Sequence, residues 1–412
     1  MVEYTGLSEF ICGNPDWIYP NPMLNPYCPF DSYNLAYDLG YKLWEIIGGT
    51  LAWLINFIWP GNPISTWLID EPTTVLFALL LFMLLIFMVA FVSVLIVLWE
   101  ERKIWGRMMD RRGTMVGLKG FLQCVADGLK TFMKENTTPK KVDKMTYMWT
   151  VSLIMGLSAL VACMVPLSYR WYVVNYDSGL LIIMAFFALA PFFILVSGWS
   201  QNNKYSLIGG MRAAELMISY EVPMLIIIAS SVLLAGSFNI GDIVYAQNSS
   251  VWYLIPEILG AIVFFFCAIA EAERAPFDIA EAEAELVEGW QTEYAGMKWG
   301  LIMLGDYLRG TVSCGMVVIL FLGGWTLPWI GDFSQFTIEG STGIGYILAW
   351  LPMPEIVFLL KAYLVFFFMI VVRNSLARTR PDQILNIGWK VFMPLAVINF
   401  AIVLLLKLGG VM

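Results

Sequence analysis

The sequence predicts an all-α polytopic membrane protein with eight transmembrane helices, cytoplasmic amphipathic helices and an N-terminal extension. Of its 412 residues, 59% are hydrophobic and only 14% are charged, whereas a soluble domain is about half apolar and about a quarter charged. Eight apolar runs approach or exceed the roughly 20 residues that a bilayer-spanning helix needs. Basic residues collect in every second connecting loop, which is the charge pattern of a polytopic membrane protein.

Residues 1–71 are predicted to form an extracytoplasmic or interfacial extension, and residues 72–412 the membrane domain. The stretch NPDWIYPNPMLNPYCPF is rich in proline and aromatic residues, which is typical of an ordered loop. Residues 41–59 are apolar but contain Gly48-Gly49 and tryptophans, which favours a helix in the membrane interface over a span. The first apolar stretch follows no basic segment, so no cleavable signal peptide is predicted.

The eight predicted spans set the topology. They lie at 73–99, 145–167, 179–198, 215–236, 251–270, 299–327, 354–372 and 389–408. Nineteen of the 24 Lys and Arg residues fall in the loops on one side, whereas the opposite loops hold only Arg170. By the positive-inside rule the basic loops face the cytoplasm and both termini lie outside. Cys12 and Cys28 would then occupy a disulfide-permissive compartment, where they either pair or remain two thiols.

The composition excludes several classes of function. The chain has no histidine, which argues against bis-histidine haem ligation, histidine metal sites and Ser-His-Asp catalysis. Its six cysteines form no CxxC pair, so no iron–sulfur or zinc site is predicted. Cys163, Cys267 and Cys314 fall within spans and are expected to be packing residues. The net charge of −8 and the dispersed basic residues argue against nucleic-acid binding.

The first basic loop contains a predicted amphipathic helix on the membrane surface. Its apolar residues recur at helical spacing: Phe121, Leu122, Val125, Leu129, Phe132 and Met133. Anchoring in anionic lipid would explain its basic residues but not Asp127, which projects from another face. The charged cluster Glu100-Glu101-Arg102-Lys103 ends the first span, where side chains can snorkel to the interface.

The most acidic segment, Glu271 to Tyr294, lies between the fifth and sixth spans. It holds eight carboxylates and one base, Arg274. Because like charges repel, this loop is either well hydrated or keeps some carboxyls neutral through a raised pKa. Glu281 and Glu285 are four residues apart and would share a helix face, so their titrations would be coupled.

Ionisable residues also fall inside the predicted spans: Glu221, Asp306, Arg309 and Lys361. Charge at membrane depth is costly and therefore indicates function by default. Asp306 and Arg309, at i and i+3, are equally compatible with a structural ion pair. Glu221 has no basic neighbour in the sequence. Glu257 and Glu355 lie near prolines at span starts and are expected at the outer interface.

Four cytoplasmic segments carry extended motifs. They read ERKIWGRMMDRRG followed by GFLQCVADGLKTFMKE, NNKYSLIGGMRAAELMISYEVP, RAPFDIAEAEAELVEGWQTEYAGMKWG, and RNSLARTRPDQILNIGWKVFMPLAVIN. In this order, over roughly residues 73–405, they resemble the family formed by the H subunit of bacterial respiratory complex I (NADH:quinone oxidoreductase) and mitochondrial subunit 1. The resemblance implies the same eight-span plan.

The resemblance also implies a role at the joint between the peripheral electron-transfer arm and the membrane arm of a proton-translocating oxidoreductase complex. The substrate would be a quinone such as ubiquinone or menaquinone, reduced with electrons from NAD(P)H, F420H2 or ferredoxin, and reduction would drive proton or sodium translocation. The implied partners are peripheral Fe–S and quinone-site subunits, small membrane subunits, antiporter-like subunits and membrane lipid. The implied location is the cytoplasmic (inner) membrane of a bacterium or archaeon, with no redox centre or metal in this chain.

Two sets of site residues follow from the resemblance. The residues implied in a proton path are Asp127, Glu221, Glu271, Asp278, Glu281, Glu283, Glu285, Glu293 and Asp306. The residues implied around the quinone chamber are Glu101, Arg102, Lys204, Arg212, Tyr220, Arg274, Tyr307, Arg373, Arg378 and Arg380. The chain departs from the family where Asp306 replaces the usual glutamate, where Glu273 replaces a neutral residue, and where Arg112-Gly113-Thr114-Met115 replaces a Gly-Pro-Asn turn.

Three other functions remain open. The first is the related membrane subunit of an energy-converting hydrogenase, which copurifying subunits would reveal. The second is a stand-alone ion-coupled transporter using Glu221 and Asp306, although the two halves show no convincing internal repeat. The third is a structural anchor without chemistry, against which the intramembrane carboxylates argue.

Overall fold

The structure is a computed structural model that describes residues 71–169, 171–172, 176–249, 251–278, 286–327 and 353–409. The expectations for the extension, including the interfacial helix at 41–59 and the Cys12–Cys28 pair, lie outside the described residues. So do Arg170 and the three glutamates Glu281, Glu283 and Glu285.

The described residues are organised as helices joined by loops. In chain order the helices are α1 (Glu71–Met108), α2 (Phe121–Met133), α3 (Lys144–Met164), α4 (Gly179–Phe187), α5 (Ala190–Ser200), α6 (Lys204–Ala235), α7 (Ile240–Ser249), α8 (Ile258–Glu271), α9 (Met297–Phe321), α10 (Met353–Ser375), α11 (Pro381–Ile387) and α12 (Met393–Leu408). Short 3-10 helices lie at Leu118–Gly120 and Gly289–Gln291. A π-helical turn, Gly388–Phe392, joins α11 to α12.

The polytopic helical membrane architecture is confirmed. Seven segments of the described chain are long and apolar enough to span a membrane: Met83–Met108, Lys144–Met164, Gly179–Ser200, Lys204–Ala235, Met297–Phe321, Met353–Ser375 and Pro381–Leu408. The fifth predicted span corresponds to α8, which has only 14 residues. Its expected start at residue 251 is wrong. The chain makes turns up to Glu257, because Pro256 cannot continue a helix through its own position.

Other helix boundaries differ from the predicted ones for local reasons. Helix α6 begins at Lys204 instead of residue 215, because the side chain of Asn203 accepts the Tyr205 N–H at 3.2 Å and caps it. Helix α9 ends at Phe321, before the predicted 327, where Gly323 and Gly324 adopt φ angles of 67° and 53°. The third span is broken after α4, four residues before Pro191.

Helix α9 lies at the centre of the described bundle. Of its most apolar stretch, 83% is buried, compared with 22% for α1 and 22% for α11–α12. It packs against α3, α10, α8 and α1, while α6 packs against α5, α12 and α8. Cys163, Cys267 and Cys314 are buried in this packing, as predicted. The central position of α9 brings its polar residues into contact with several other helices.

Helix α2 is confirmed and lies against the C-terminal end of α1 and the N-terminal end of α9. Cys124 faces the bundle and is buried, whereas Leu122, Leu129 and Phe132 are about half exposed. This exposed apolar side fits a helix that lies in the membrane surface.

Two acids near predicted span starts are buried within the protein. Glu257 and Glu355, expected at the outer interface, are 0% and 8% exposed. Their burial is compensated by hydroxyl donors: Ser231 donates to Glu257 at 2.9 Å, and Ser168 donates to Glu355 at 2.5 Å. Hydroxyl groups that are distant in the chain have no signature in the local sequence around a glutamate.

Lys361 lies within α10, as predicted for the seventh span. Its ammonium donates to the carbonyl oxygens of Leu322, Gly324 and Thr326 at 2.6–2.9 Å and lies 4.5 Å from the centre of the Trp252 ring. The side chain therefore ties α10 to the turn that follows α9.

Candidate functional site

A buried acid shared by two arginines lies where α1, α10 and the acidic loop meet. Glu101 of α1 is 5% exposed. Its Oε1 accepts a hydrogen bond from Arg373 of α10 and lies 3.5 Å from Nη1 of Arg274. Arg274 also lies 4.1 Å from the centre of the Tyr307 ring, and Arg373 lies 5.3 Å from that of Trp105. We call these five residues the Glu101 junction.

The next residue of α1 ties the surface helix to the junction. Arg102 donates to Asp127 of α2, and Gln123 donates to the second oxygen of that carboxylate at 3.4 Å. The Arg102 and Asp127 side chains are 36% and 38% exposed, so the pair contributes little to stability and mainly orients α2.

A second charged group is buried deeper, around Arg309 of α9. Arg309 donates to Asp306 at 2.5 Å, so the predicted ion pair is present. Gln291 lies 3.5 Å from the other oxygen of Asp306. Arg309 also attracts Glu271 and Glu273 electrostatically. All four charged side chains are at most 6% exposed.

Glu221 of α6 completes this group. It interacts electrostatically with Glu271, the last residue of α8. Its Oε1 is buried and has no hydrogen-bond partner within the described part of the chain. We call Glu221, Glu271, Glu273, Asp306 and Arg309 the Arg309 cluster. Three of its four carboxyls interact with the Arg309 guanidinium, and Glu221 interacts with one of these three, Glu271.

Glu273 lies two residues after the end of α8, in the left-handed region with φ 49°. Among the described residues, neither of its buried carboxyl oxygens has a hydrogen-bond partner. Burial raises the pKa of Glu273 to about 8; Arg309 lowers it, and the carboxylates of Asp306, Asp278 and Glu271 raise it further. The sequence left two alternatives for the acidic loop, namely hydrated carboxylates or carboxyls kept neutral by a raised pKa. Glu273 fits the second alternative and is mostly protonated at pH 7.

Arg274 connects the two groups. Its guanidinium contacts Glu101 on one side and interacts electrostatically with Asp306 on the other. Tyr307, whose ring Arg274 covers, is the next residue after Asp306 on α9. Hydrogen bonds and electrostatic interactions therefore link charged side chains from α1 and α10, through Arg274, to Glu221 on α6.

Comparison with known proteins supplies the family. Residues 80–404 match the family model described as NADH dehydrogenase. The chain belongs to the NADH dehydrogenase family. A curated relative, the H subunit of the NADH-quinone oxidoreductase of Paramagnetospirillum magneticum (strain ATCC 700264 / AMB-1), is 38% identical over 305 residues, which are 74% of this chain and 84% of the relative. The resemblance of the four loop motifs to the family of this complex I subunit is thus confirmed.

Family membership and the membrane-length helices together make the chain a membrane subunit of an oxidoreductase complex. In the structure, the start of the acidic loop contacts the loop between α10 and α11. Arg378 donates to Asp278 at 2.8 Å, and the Thr379 hydroxyl donates to the Pro276 carbonyl at 2.8 Å. The N–H of Arg380 donates to Gln383 at 3.1 Å and caps α11.

Of the remaining predicted residues, Lys204 and Arg212 lie in the N-terminal part of α6, and Glu293 lies near the end of the acidic loop. Glu293 accepts a hydrogen bond from Asn203 at 2.9 Å, next to Lys204, whose ammonium lies 5.4 Å from the Tyr205 ring centre. Arg212 lines a shallow surface pocket together with Pro381. The structure therefore distributes the predicted residues over several places instead of one pocket.

Tyr220 is fully buried. Its hydroxyl donates to the Ile384 carbonyl at 3.2 Å, and its ring packs 5.1 Å from that of Phe277. Both contacts hold α6 against the acidic loop and α11.

Three residues that contact the predicted site residues were not predicted from the sequence. Trp105 lies four residues after Glu101, so helical spacing could have placed it on the same face. Gln123 is four residues before Asp127 and is detectable in the same way. Gln291 has no such signal, because its partner Asp306 lies on another helix.

Proposed function

We propose that this chain forms the membrane side of the quinone site in a complex I-type NAD(P)H-, F420H2- or ferredoxin:quinone oxidoreductase, and that it couples quinone reduction to proton or sodium translocation. The observation that carries the proposal is the position of Arg274, which touches Glu101 and Tyr307 and also acts on Asp306. A charge that forms on the quinone side of Arg274 changes the electrostatic potential at the Arg309 cluster.

The quinone lies beside the Glu101 junction in this proposal. A small apolar cavity of about 60 Å³ lies between α1, α3, α9 and α10 and includes Ser93, Thr311 and Tyr363 in its wall. Ligand pockets usually measure about 300–1,000 Å³. The rest of the chamber is therefore contributed by other parts of the complex, and electrons arrive from an Fe–S subunit.

The arginines of the junction stabilise the anionic species that quinone reduction creates. Arg274 and Arg373 are fixed by Glu101 and by aromatic rings, so their charge is oriented before the reaction begins. As negative charge develops on the quinone, it offsets the positive potential of Arg274 at Asp306. The distribution of protons among the carboxyls of the Arg309 cluster then changes.

In our proposal the proton route passes through this cluster, and Glu221 is its acid within α6. Asp278, Asp127 and Glu293 lie at its cytoplasmic entrances, together with the segment that carries Glu281, Glu283 and Glu285. The acidic loop faces the cytoplasm, α2 is anchored in anionic lipid, and the basic and acidic loops dock the peripheral subunits. Small membrane subunits and antiporter-like subunits adjoin the helices.

Neutral substitutions of two acids test the route. Glu221→Gln and Glu285→Gln should leave the complex assembled but lower quinone reduction by roughly tenfold or more, since removing a proton-transferring group usually has an effect of at least that size. Glu135→Gln, an exposed acid after α2, serves as the control. Normal quinone-linked activity of both variants in the assembled complex would refute the carboxylate route.

The hydrogenase and transporter alternatives make different predictions about the native assembly. The curated relative is named a subunit of an NADH-quinone oxidoreductase, which favours the quinone enzyme. Purification of the native complex should yield Fe–S subunits and bound quinone. Hydrogenase subunits without quinone would support the first alternative, and ion transport by the isolated chain would support the second.

A further inference from the structure

A second buried carboxyl lies at the opposite end of α8 from the Arg309 cluster. Glu257 precedes α8 and Glu271 ends it, about 21 Å apart at 1.5 Å per residue. Glu257 is 0% exposed. Its side chain makes no capping hydrogen bond to α8. The usual role of an acid at a helix start therefore does not explain its burial.

The carboxyl of Glu257 is held by a network of neutral polar groups. Its Oε2 accepts hydrogen bonds from Ser231 at 2.9 Å and Ser230 at 3.1 Å, both on α6. Asn399 of α12 donates to the Ser230 oxygen at 3.1 Å and accepts the Gly260 N–H at 3.1 Å. Three helices thus meet at this carboxyl.

Each serine hydroxyl has a choice of two acceptors. Besides Glu257, the carbonyl of Ile227 lies 2.7 Å from Ser230 Oγ and 3.4 Å from Ser231 Oγ. A hydroxyl carries one proton and can satisfy one acceptor at a time. The serines can donate to Glu257 when it is charged and turn to Ile227 when it is neutral, without movement of heavy atoms.

Basic groups near this end of the bundle are engaged elsewhere. Lys407 of α12 donates to the Leu233 carbonyl, and Lys361 donates to carbonyls after α9. The phenol of Tyr253 interacts electrostatically with Glu257, and a phenol can only add negative charge. Among the described residues, the Oε1 of Glu257 is buried without a hydrogen-bond partner. A buried carboxylate without a counter-ion is costly, so this oxygen is a favourable place for a proton.

We propose that Glu257 is a second proton-binding carboxyl of the membrane domain, in the half of the bundle opposite Glu221. The proton binds to Oε1 as an O–H group, and its release restores the carboxylate. Ser230 and Ser231 lie nine and ten residues after Glu221, about 14 Å along α6. One helix therefore carries both the acid of the proposed proton route and the donors of the second site. A role for this proton in turnover rests on the proposed function, whereas its binding does not.

Infrared difference spectroscopy of the purified whole complex, titrated with acid, tests the proposal. Wild-type complex should show the carbonyl band of a protonated carboxyl that disappears in Glu257→Gln, an isosteric change that keeps hydrogen bonds to the serines. Asp242→Asn is the matched control, because Asp242 also accepts a serine hydroxyl, from Ser237 at 2.8 Å, but is only half-buried. Its spectrum should retain the band.

Ser231→Ala provides a second variant that keeps the carboxyl. Loss of one donor to the charged form should shift the titration of the band to higher pH. Identical spectra of wild type and Glu257→Gln at every pH, an unshifted titration in Ser231→Ala, or a titration that depends on sodium concentration would each overturn the proposal. The measurement needs no turnover. A complex without quinone activity would refute the proposed function and leave the result for Glu257 intact.

Discussion

Arg309 is the residue on which the buried charge balance depends. It is 3% exposed, forms an ion pair with Asp306 and attracts two further carboxyls, Glu271 and Glu273. The four carboxyls of the cluster outnumber the two guanidinium groups that act on it, Arg309 and Arg274, which favours protonation of some of these carboxyls. This excess of acid over base gives the cluster its capacity to respond to a charge at Arg274.

Removal of Arg309 should destabilise the chain strongly. Arg309→Leu leaves Asp306 buried without its partner, and breaking such a pair usually costs about 3–5 kcal/mol. Arg309→Leu with Asp306→Asn should recover part of this loss, since both charges are then gone. Thermal unfolding of the purified complex measures the difference. A single variant as stable as wild type would contradict the assignment of Arg309 as the counter-ion.

The buried carboxyl of Glu273 should make the stability of the folded chain depend on pH. Its pKa is about 8 in the folded chain, against an ordinary value of 4.5. The folded state binds this proton more tightly than the unfolded state, so its stabilising effect is complete below the ordinary pKa and is lost as the pH rises towards about 8. Glu273→Gln has no carboxyl at this position to ionise, so the variant should not lose this stability as the pH rises.

The gain in thermal midpoint from Glu273→Gln should therefore be clear at about pH 8.5 and nearly absent at about pH 5. Glu288→Gln, an exposed acid of the same loop, is the control and should show no such trend. A gain that is larger at the acidic pH would show that Glu273 is charged in the folded chain.

At the scale of elements, helix α6 and the acidic loop are pressed together. A Cβ atom on Gly209 would lie 2.6 Å from the Cα of Gly289. The next residue, Trp290, is fully buried, and the Tyr294 ring stacks on Tyr147 at 4.5 Å. The end of the acidic loop is thus part of the core, which holds its beginning near Arg309.

Gly209→Ala should push the 3-10 helix at Gly289–Gln291 away from α6 and lower both the stability and the yield of assembled complex. Overpacking of this kind usually costs about 1–3 kcal/mol. Gly156→Ala in α3 is the control, because nothing in the described chain lies within 4 Å of its added Cβ, and alanine favours a helix. Equal stability of the two variants would show that the loop can move freely.

For the whole molecule, the uneven distribution of basic residues predicts the orientation in the membrane. Glu288 and Asp177 are exposed, and the predicted topology places their loops on opposite sides of the membrane. Cysteine introduced at Glu288 should react with an impermeant maleimide only in inverted vesicles, and cysteine at Asp177 only in intact cells.

Both labelling variants should also carry Cys12→Ser and Cys28→Ser, which removes the two thiols of the extension. Labelling in detergent checks that both positions are reachable in the assembled complex. Reaction of the Glu288 position in intact cells would reverse the predicted orientation.

Much of the architecture was predictable because its signals are local. Apolar runs located the membrane helices, and helical spacing located α2 at Phe121–Met133. Helix ends were predicted less well. The starts of α6 and α8 depend on a capping asparagine and on a proline, Asn203 and Pro256, which act within otherwise continuous apolar or helix-forming sequence.

The sequence by itself determined the membrane class, the family and the residue types available for proton handling, since each of these is encoded in contiguous stretches. Only the tertiary structure decided which charges meet. Glu101 is bound by arginines that lie 173 and 272 residues away, and Glu273 becomes a buried acid only because α8 ends against Arg309 on α9. Such contacts depend on how helices pack, and the free energy of a charge depends on that packing more than on its neighbours in the chain.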